Sequence, residues 1–330
     1  MDTEQLVREA LRQYGLTGAE ISFLRHNENA VYRVDMPDGR RYSLRLHIPA
    51  DSLNQERLMQ RPAWIEAEMR FLQALDLESP VEVQSPLCTV EGALVAQLPG
   101  GQGCATMLSW IPGKDFDPSA EDAEAMAYQV GILAARMHDF VQTHPALREL
   151  ERPSYDAQYI RGSVMALQEG VGLGILPQET YEALLEYGDV VGKLIDADMQ
   201  RPGAHGLIHN DLGLGNLIVH DGRVSPIDFS LCGFAPFLFD LGGLIGTFNT
   251  PELRRSTFMG YESLRPIPEA SYPLIEGCFI GGIVLFMALH LTNSHVREWF
   301  PRRLPAVMAE YVVPFCKGES FLFQLMDKQA

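Results

Sequence analysis

The apolar positions of this chain change period along its length. Residues 3–14 set apolar side chains among charged ones at helical spacing, which predicts an amphipathic helix. Residues 21–25, 30–36 and 41–47 are β-like runs, and Pro37-Asp38-Gly39 between the last two is a hairpin signal. Residues 62–75 (PAWIEAEMRFLQAL) return to the helical period, with Pro62 suited to a first turn. Further strand-like runs fall at 81–84, 93–98 and 104–110. The pattern changes at WIPGKDFDPSAED, where Pro and Gly mark a connector. Asp117, Pro118 and Ser119 there signal a long helix running to about residue 142. Beyond it the chain reads as mostly helical, broken at 207–230 by LIHNDLGLGNLIVHDGRVSPIDFS. That stretch reads as loop, short strand, Asp-Gly turn and short strand.

This order predicts an α+β fold with two lobes: a sheet-rich lobe over 1–108, a hinge at 109–114 and a helical lobe over 115–330. A cleft between two such lobes is a natural ligand site. The longest apolar run, 278–292, is short for a bilayer span and contains His290, which predicts a buried helix. The amino terminus is charged and has no apolar signal core. The five cysteines, Cys88, Cys104, Cys232, Cys278 and Cys316, include no C-x-x-C pair and are odd in number. They indicate neither a zinc site nor a disulfide framework, and fit reduced thiols in a cytoplasm. The net charge of −17 repels a polyanion and argues against nucleic-acid binding. It can attract a cationic substrate, although acidity is also common in cytosolic proteins.

The chemistry concentrates in 207–230. Phosphoryl transfer from a nucleoside triphosphate needs a positioned hydroxyl, one or two Mg²⁺ ions and compensation of phosphate charge. Mg²⁺ takes oxygen ligands, typically one or two carboxylates completed by phosphate and water. Asp211 on a loop can accept a hydroxyl hydrogen bond. Asn216 and Asp228 flank a short hairpin, and antiparallel pairing returns its two outer ends to one place. As an isolated pattern, Asp and Asn in loops more often make turns or cap helices.

The spacing H-x-D-x-x-x-x-N, followed after a hairpin by D-F, resembles the protein-kinase-like fold. Asn210 after the histidine, and Ser230 where protein kinases carry the D-F-G glycine, point away from eukaryotic-type protein kinases. HNDLGLGNLIV with IDF is similar to the aminoglycoside phosphotransferase and choline-kinase-like family. That family includes homoserine kinases of this fold and bacterial stress-response Ser/Thr kinases. The resemblance implies Asp211 as catalytic base, Asn216 and Asp228 as Mg²⁺ ligands, and Asp240 as the group that steadies the catalytic loop. A helix N-cap is the alternative for Asp240. His209 is expected to support the loop and His220 to sit at an exposed turn.

The resemblance also implies a strand cation on the α- and β-phosphates, paired with a helix glutamate. Arg45 stands where the family usually has Lys, with Glu68 as partner and Glu66 as a second candidate. Arg is permanently charged and can fork onto phosphate or carboxylate. HNENAVYRV at 26–34 lacks the glycines of a kinase phosphate loop, and Asn27 and Asn29 tolerate unusual backbone angles. Asn29 is the candidate phosphate contact, with a plain turn as alternative. MLSWIPGK matches the family hinge, where the Ser109 carbonyl and Ile111 amide would meet adenine, while Trp110 can equally be core. His138 lies on a helix of core spacing and receives no chemical role.

The resemblance thus implies an ATP-dependent (or GTP-dependent), Mg²⁺-requiring kinase that phosphorylates a hydroxyl of a small molecule (an amino alcohol, aminoglycoside, amino acid or sugar-like compound), for which a cationic acceptor is a candidate. Acids at Asp115, Asp117, Glu121, Asp122 and Glu124, and at Glu179, Glu182, Glu186 and Asp189, can bind an amine but more often form solvated faces. RPSYDAQYIRG at 152–162 can line an acceptor pocket. Gly213 and Gly215 allow a close approach of phosphate and substrate. The alternatives are a protein Ser/Thr kinase of the same fold, for which an A-P-E element and a long activation segment are lacking, and a nucleotide-binding protein without catalysis.

Overall fold

The structure is a computed structural model that describes residues 2–26, 29–48, 61–248, 250–293 and 296–323. The chain divides into two compact units, Met1–Pro112 and Gly113–Ala330.

The first unit opens with helix α1 (Thr3–Gln13). The Asp2 side chain accepts from the Gln5 amide at 2.8 Å, and the Gln5 side chain accepts from the Asp2 amide at 3.3 Å. This reciprocal cap satisfies two amides that a helix start leaves over. Strands β1 (Glu20–His26), β2 (Ala30–Asp35) and β3 (Arg41–His47) follow, then helix α2 (Pro62–Glu78), β4 (Val95–Gln97) and β5 (Cys104–Ser109). They form an antiparallel sheet in the order β1-β2-β3-β5-β4. Alternation along β3 sorts its side chains onto two faces. Tyr42, Leu44 and Leu46 join Leu6, Val7, Ala10 and Leu11 of α1 in one apolar cluster. Ser43, Arg45 and His47 take the other face and are buried as well.

The strand expected at 81–84 does not form. Val81 and Val83 are buried, as alternation suggests, but the segment has no strand partner. Pro80 and Pro86 bracket it and have no N–H to donate. Pairing starts only at Ser85, whose carbonyl accepts from the Ser109 amide at 2.9 Å, and continues where the Leu87 amide donates to Met107 at 2.8 Å. The run 93–98 likewise pairs only from Val95, because the Ala93 amide turns back to the Thr89 hydroxyl at 3.1 Å.

His47 is fully enclosed, with Nε2 3.0 Å from the Thr106 hydroxyl. Burial, and then the neighbouring Arg45 charge, hold its pKa well below the usual imidazole value. Burial lowers the pKa of His138 too. Both histidines therefore bind a proton more readily unfolded than folded. Their contribution is fully present above about pH 6.5 and is lost as pH falls from there towards the folded-state values. Stability should drop by up to about 1.4 kcal/mol per pH unit for each group in that window. Urea unfolding at pH 7.5 and 5.5 checks this. His47→Gln, which keeps a polar partner for Thr106, should show a shallower pH slope than the wild type.

The second unit carries β6 (Lys114–Asp115), α3 (Ala123–Thr143), α4 (Ala157–Ala166), α5 (Gln168–Gly172) and α6 (Gln178–Met199). Four short strands follow: β7 (His205–Ile208), β8 (Leu217–His220), β9 (Arg223–Pro226) and β10 (Gly233–Pro236). Helices α7 (Leu238–Thr247), α8 (Pro251–Glu262), α9 (Tyr272–His290), α10 (Trp299–Val307) and α11 (Val313–Cys316) complete it. The long helix α3 starts six residues later than Asp117. The Asp117 carboxylate accepts from the Ser119 amide at 2.8 Å and hydroxyl at 2.6 Å, which makes a turn of residues expected to begin the helix. Helix α3 crosses α8 at two glycines. A Cβ on Gly131 would collide with the Thr257 carbonyl, and one on Gly260 with that of Tyr128. Residues Glu269–His290 are long and apolar enough to cross a membrane. Within α9 the side chains of Leu274, Ile275, Cys278, Ile280, Val284 and Met287 are buried inside the unit.

Candidate active site

Two antiparallel ladders frame the polar stretch. Strands β7 and β10 pair with Ile208 opposite Gly233, and β8 and β9 pair with Leu217 opposite Pro226. Between them run two connecting segments, 209–216 and 227–232. The Ile227 amide donates to the Asn216 carbonyl at 2.9 Å, which extends the β8–β9 ladder by one step. Asp228, the next residue, therefore emerges beside Asn216.

His209 ties the two segments together. Its ring is buried against Phe229, with centroids 4.3 Å apart. Nδ1 accepts from the Asp211 amide at 3.2 Å, and Nε2 donates to the Ile227 carbonyl at 3.1 Å. These partners assign the neutral Nε2–H tautomer. Both nitrogens are engaged, so His209 shapes the loop and is not placed to act as a base.

Asp240 anchors the same loop from α7. It is not the N-cap, which is Phe237, but lies within the first turn, where the helix dipole favours a carboxylate. Its oxygens accept from the Asn210 amide at 2.7 Å and the His209 amide at 3.2 Å. His138 Nε2 lies 3.0 Å from the same carboxylate, and both side chains are completely buried. Core periodicity disguises His138 in the sequence, although it bonds across helices. Its Nδ1 is 2.9 Å from the Tyr261 hydroxyl, which accepts in turn from Arg265 Nε at 3.2 Å. With His138 held neutral by burial, every donor in this series points towards Asp240.

Backbone strain collects here. Among the described residues, positive φ outside glycine occurs at Asn210 (65°), Asp221 (48°) and Asp228 (63°). Asp221 lies in the Asp-Gly turn of the β8–β9 hairpin, while the other two lie in the connecting segments. Such conformations cost on the order of 1–3 kcal/mol each and persist where surrounding contacts impose them.

Asp211 is exposed. Asn216 Nδ2 donates to its carboxylate at 2.8 Å and its carbonyl at 2.9 Å, and the Thr247 hydroxyl holds the Leu212 carbonyl at 2.9 Å. The side-chain nitrogen of Asn216 thus orients Asp211 and leaves its amide oxygen available. That oxygen and the Asp228 carboxylate are hard donors of the kind Mg²⁺ or Ca²⁺ takes, so the residues fit a divalent cation. Among the described residues no three His, Cys, Asp or Glu side chains converge. A cation here would take its remaining ligands from phosphate and water. The protein itself does not require glycine at 213 or 215. Gly213 has φ −97°, and a Cβ at either position would meet no protein atom within 4 Å.

In the first unit, Arg45 Nη2 meets Glu68 Oε1 at 2.6 Å, with side chains 5% and 2% exposed. Glu66 instead pairs with Arg70 at 3.0 Å on the helix surface. Asn29 is buried just ahead of β2. Asn27 lies outside the described residues. The Ser109 carbonyl accepts from Gln84 Nε2 at 2.9 Å, which leaves it one lone pair. Trp110 is partly buried, and its amide donates to the Arg41 carbonyl at 3.1 Å. The acidic clusters around Glu121 and Glu182 are exposed. In the 152–162 motif, Arg152 and Tyr155 turn inward against residues 230–232.

The sequence model of the phosphotransferase enzyme family matches residues 20–272. Amicoumacin kinase of Bacillus subtilis (strain 168) is 24% identical over 246 residues, covering 73% of this chain and 67% of its own. Among solved structures, a microcompartment-associated aminopropanol kinase superposes with TM-score 0.73 at 23% identity, covering 95% of both chains. An amicoumacin kinase in complex with AMP-PNP, Ca²⁺ and Ami superposes with TM-score 0.71 at 17% identity, covering 99% of this chain and 96% of its own. With the match spanning most of the chain, and the kinase-like α+β fold shared with these structures, this protein belongs to the phosphotransferase enzyme family, whose members move a phosphate from ATP to a hydroxyl of a small molecule.

Proposed function

We propose that Asp211 is the catalytic base of a Mg²⁺-dependent, ATP-using kinase whose acceptor is a small alcohol carrying an amine. The observation that supports this reading is that Asn216 bonds Asp211 through its side chain and, through its carbonyl, the Ile227 amide next to Asp228. Asp211 accepts the hydrogen bond of the acceptor hydroxyl and takes its proton. The hydroxyl oxygen bonds to the γ-phosphorus as the bond to the β-phosphate oxygen breaks, leaving a phosphate ester and ADP. Asn216 and Asp228 hold Mg²⁺, whose chemistry is to neutralise charge on the phosphates. Arg45, oriented by Glu68, binds the α- and β-phosphates. Asn29 contacts phosphate, and the Ser109 carbonyl with the Ile111 amide receives adenine. His209 and Asp240 hold the loop. We assign nucleotide handling to residues 1–108, the hinge to 109–114 and the acceptor site to 115–330.

The net charge of −17 favours a cationic acceptor. The likeness to an aminopropanol kinase supports an amino alcohol. Five free cysteines accord with a cytoplasmic setting. ADP release measured with Mg·ATP and with Mg·GTP, over panels of amino alcohols, amino acids, aminoglycosides and neutral sugars, tests the reading. Turnover concentrated on amine-bearing alcohols is expected. Turnover confined to neutral sugars would overturn the acceptor assignment.

A further inference from the structure

We propose that Arg152 and Tyr155 are positioning residues for Asp228, acting through the three consecutive carbonyls of Ser230, Leu231 and Cys232. The inference rests on the reading of Asp228 as a cation ligand.

Arg152 is 7% exposed, and Tyr155 1%. Arg152 Nε donates to the Cys232 carbonyl and Nη2 to the Ser230 carbonyl, each at 2.6 Å. The Tyr155 hydroxyl donates to the carbonyl between them, Leu231, at 2.8 Å. Asn210 Nδ2 approaches that carbonyl from the catalytic loop at 3.4 Å. The backbone of this clamp is locked as well. The Tyr155 amide donates to Phe234 at 2.7 Å, and the Phe234 amide to Pro153 at 2.8 Å. A Cβ on Gly233 would lie 2.5 Å from the Tyr155 ring and 2.7 Å from the Pro153 carbonyl, so glycine is what lets the segments approach.

Asp228 sits between two restraints. Upstream, the Ile227 amide is held by Asn216. Downstream, only Phe229 separates it from the first clamped carbonyl. The short turn Phe229–Leu231 closes through the Cys232 amide on Phe229 at 3.0 Å, so its own carbonyls at 230–232 face outward to the clamp. Asp228 has φ 63° and ψ 72°, a conformation that a non-glycine residue keeps only under such restraint. Releasing a carbonyl loosens the downstream restraint and lets the strained backbone at Asp228 relax, which moves its carboxylate. The guanidinium suits the task because its planar fork reaches two carbonyls at once, which an ammonium does not reproduce.

The test is Mn²⁺ affinity of the full chain saturated with AMP-PNP, read from the free-Mn²⁺ electron paramagnetic resonance signal. It is run beside Mg²⁺ titrations of turnover. Arg152→Lys and Tyr155→Phe should each raise the cation concentration for half-saturation, by about 10-fold or more for Arg152→Lys, as for other substitutions behind a metal ligand. Acceptor KM should stay at its wild-type value. Tyr155→Phe keeps the buried ring and removes one hydrogen bond, so it carries the test if Arg152→Lys fails to fold. A purely structural role would lower the melting temperature and leave Mn²⁺ affinity unchanged; that result in both variants would overturn the inference. Asp228→Asn separates the two claims. If it loses Mn²⁺ binding while the clamp variants keep it, the clamp fails and the ligand stands. If Asp228→Asn binds Mn²⁺ as the wild type does, the ligand reading fails and the clamp proposal with it.

Discussion

Asp211→Asn should lower kcat by about 10²–10⁴-fold, the range a positioned proton acceptor contributes. The substitution preserves shape and removes only the negative charge and proton affinity of the side chain. Asp211 is exposed, so its replacement leaves no buried group unsatisfied, and stability should stay within about 0.5 kcal/mol of the wild type. Its contact with Asn216 Nδ2, 2.8 Å in the wild type, can survive through the new amide oxygen. Nucleotide binding should be close to unchanged, because the base acts on the acceptor hydroxyl. Single-turnover kinetics, with AMP-PNP titration of the same variant, check both halves. Wild-type turnover in a correctly folded Asp211→Asn protein would remove Asp211 from the mechanism and leave the family assignment in place.

Glu68→Ala should destabilise the first unit by about 3–5 kcal/mol, the cost of removing one partner from a buried ion pair. Arg45 lies on a strand enclosed on both faces, with its side chain 5% exposed. Its charge cannot be relieved by losing a proton, because guanidinium stays protonated under all ordinary conditions. Denaturant unfolding of Glu68→Ala against the wild type measures the cost. The double variant Arg45→Met with Glu68→Leu should recover most of the lost stability, since apolar side chains of similar volume commonly replace a buried pair without penalty. That variant should still turn over poorly, having nothing to offer the phosphates. Recovery of both stability and turnover would show that the pair only fills space.

Legibility in the sequence followed the range of the interactions. The hairpin 217–227 was readable because an Asp-Gly turn and two short apolar runs encode it within a dozen residues. Its closure says where Asp228 must return, and the structure joins Ile227 to Asn216 at that step. The choice of Glu68 over Glu66 as partner of Arg45 was also open to reading. Two residues apart on a helix, they face different directions, and only one can look at the sheet. Errors came where a local signal met a competing bond. Asp117 resembles a helix start, yet its carboxylate is used up in a turn. Residues 81–84 alternate like a strand, yet prolines on both sides deny it a ladder.

The sequence by itself determined the α+β class, the family and the hairpin 217–227 with the loop 209–216 that leads into it, because each is written in neighbouring residues and turn chemistry. Tertiary structure alone decided what holds that loop still. Asp240 meets His138 across 102 positions, His138 meets Tyr261 across 123, and Arg152 meets Cys232 across 80. No periodicity encodes such pairs. A buried histidine or arginine looks in sequence like any polar residue near an apolar run. What makes it a positioning group is the cost of burying its donors unpaired, and only the folded chain shows which acceptors meet that cost.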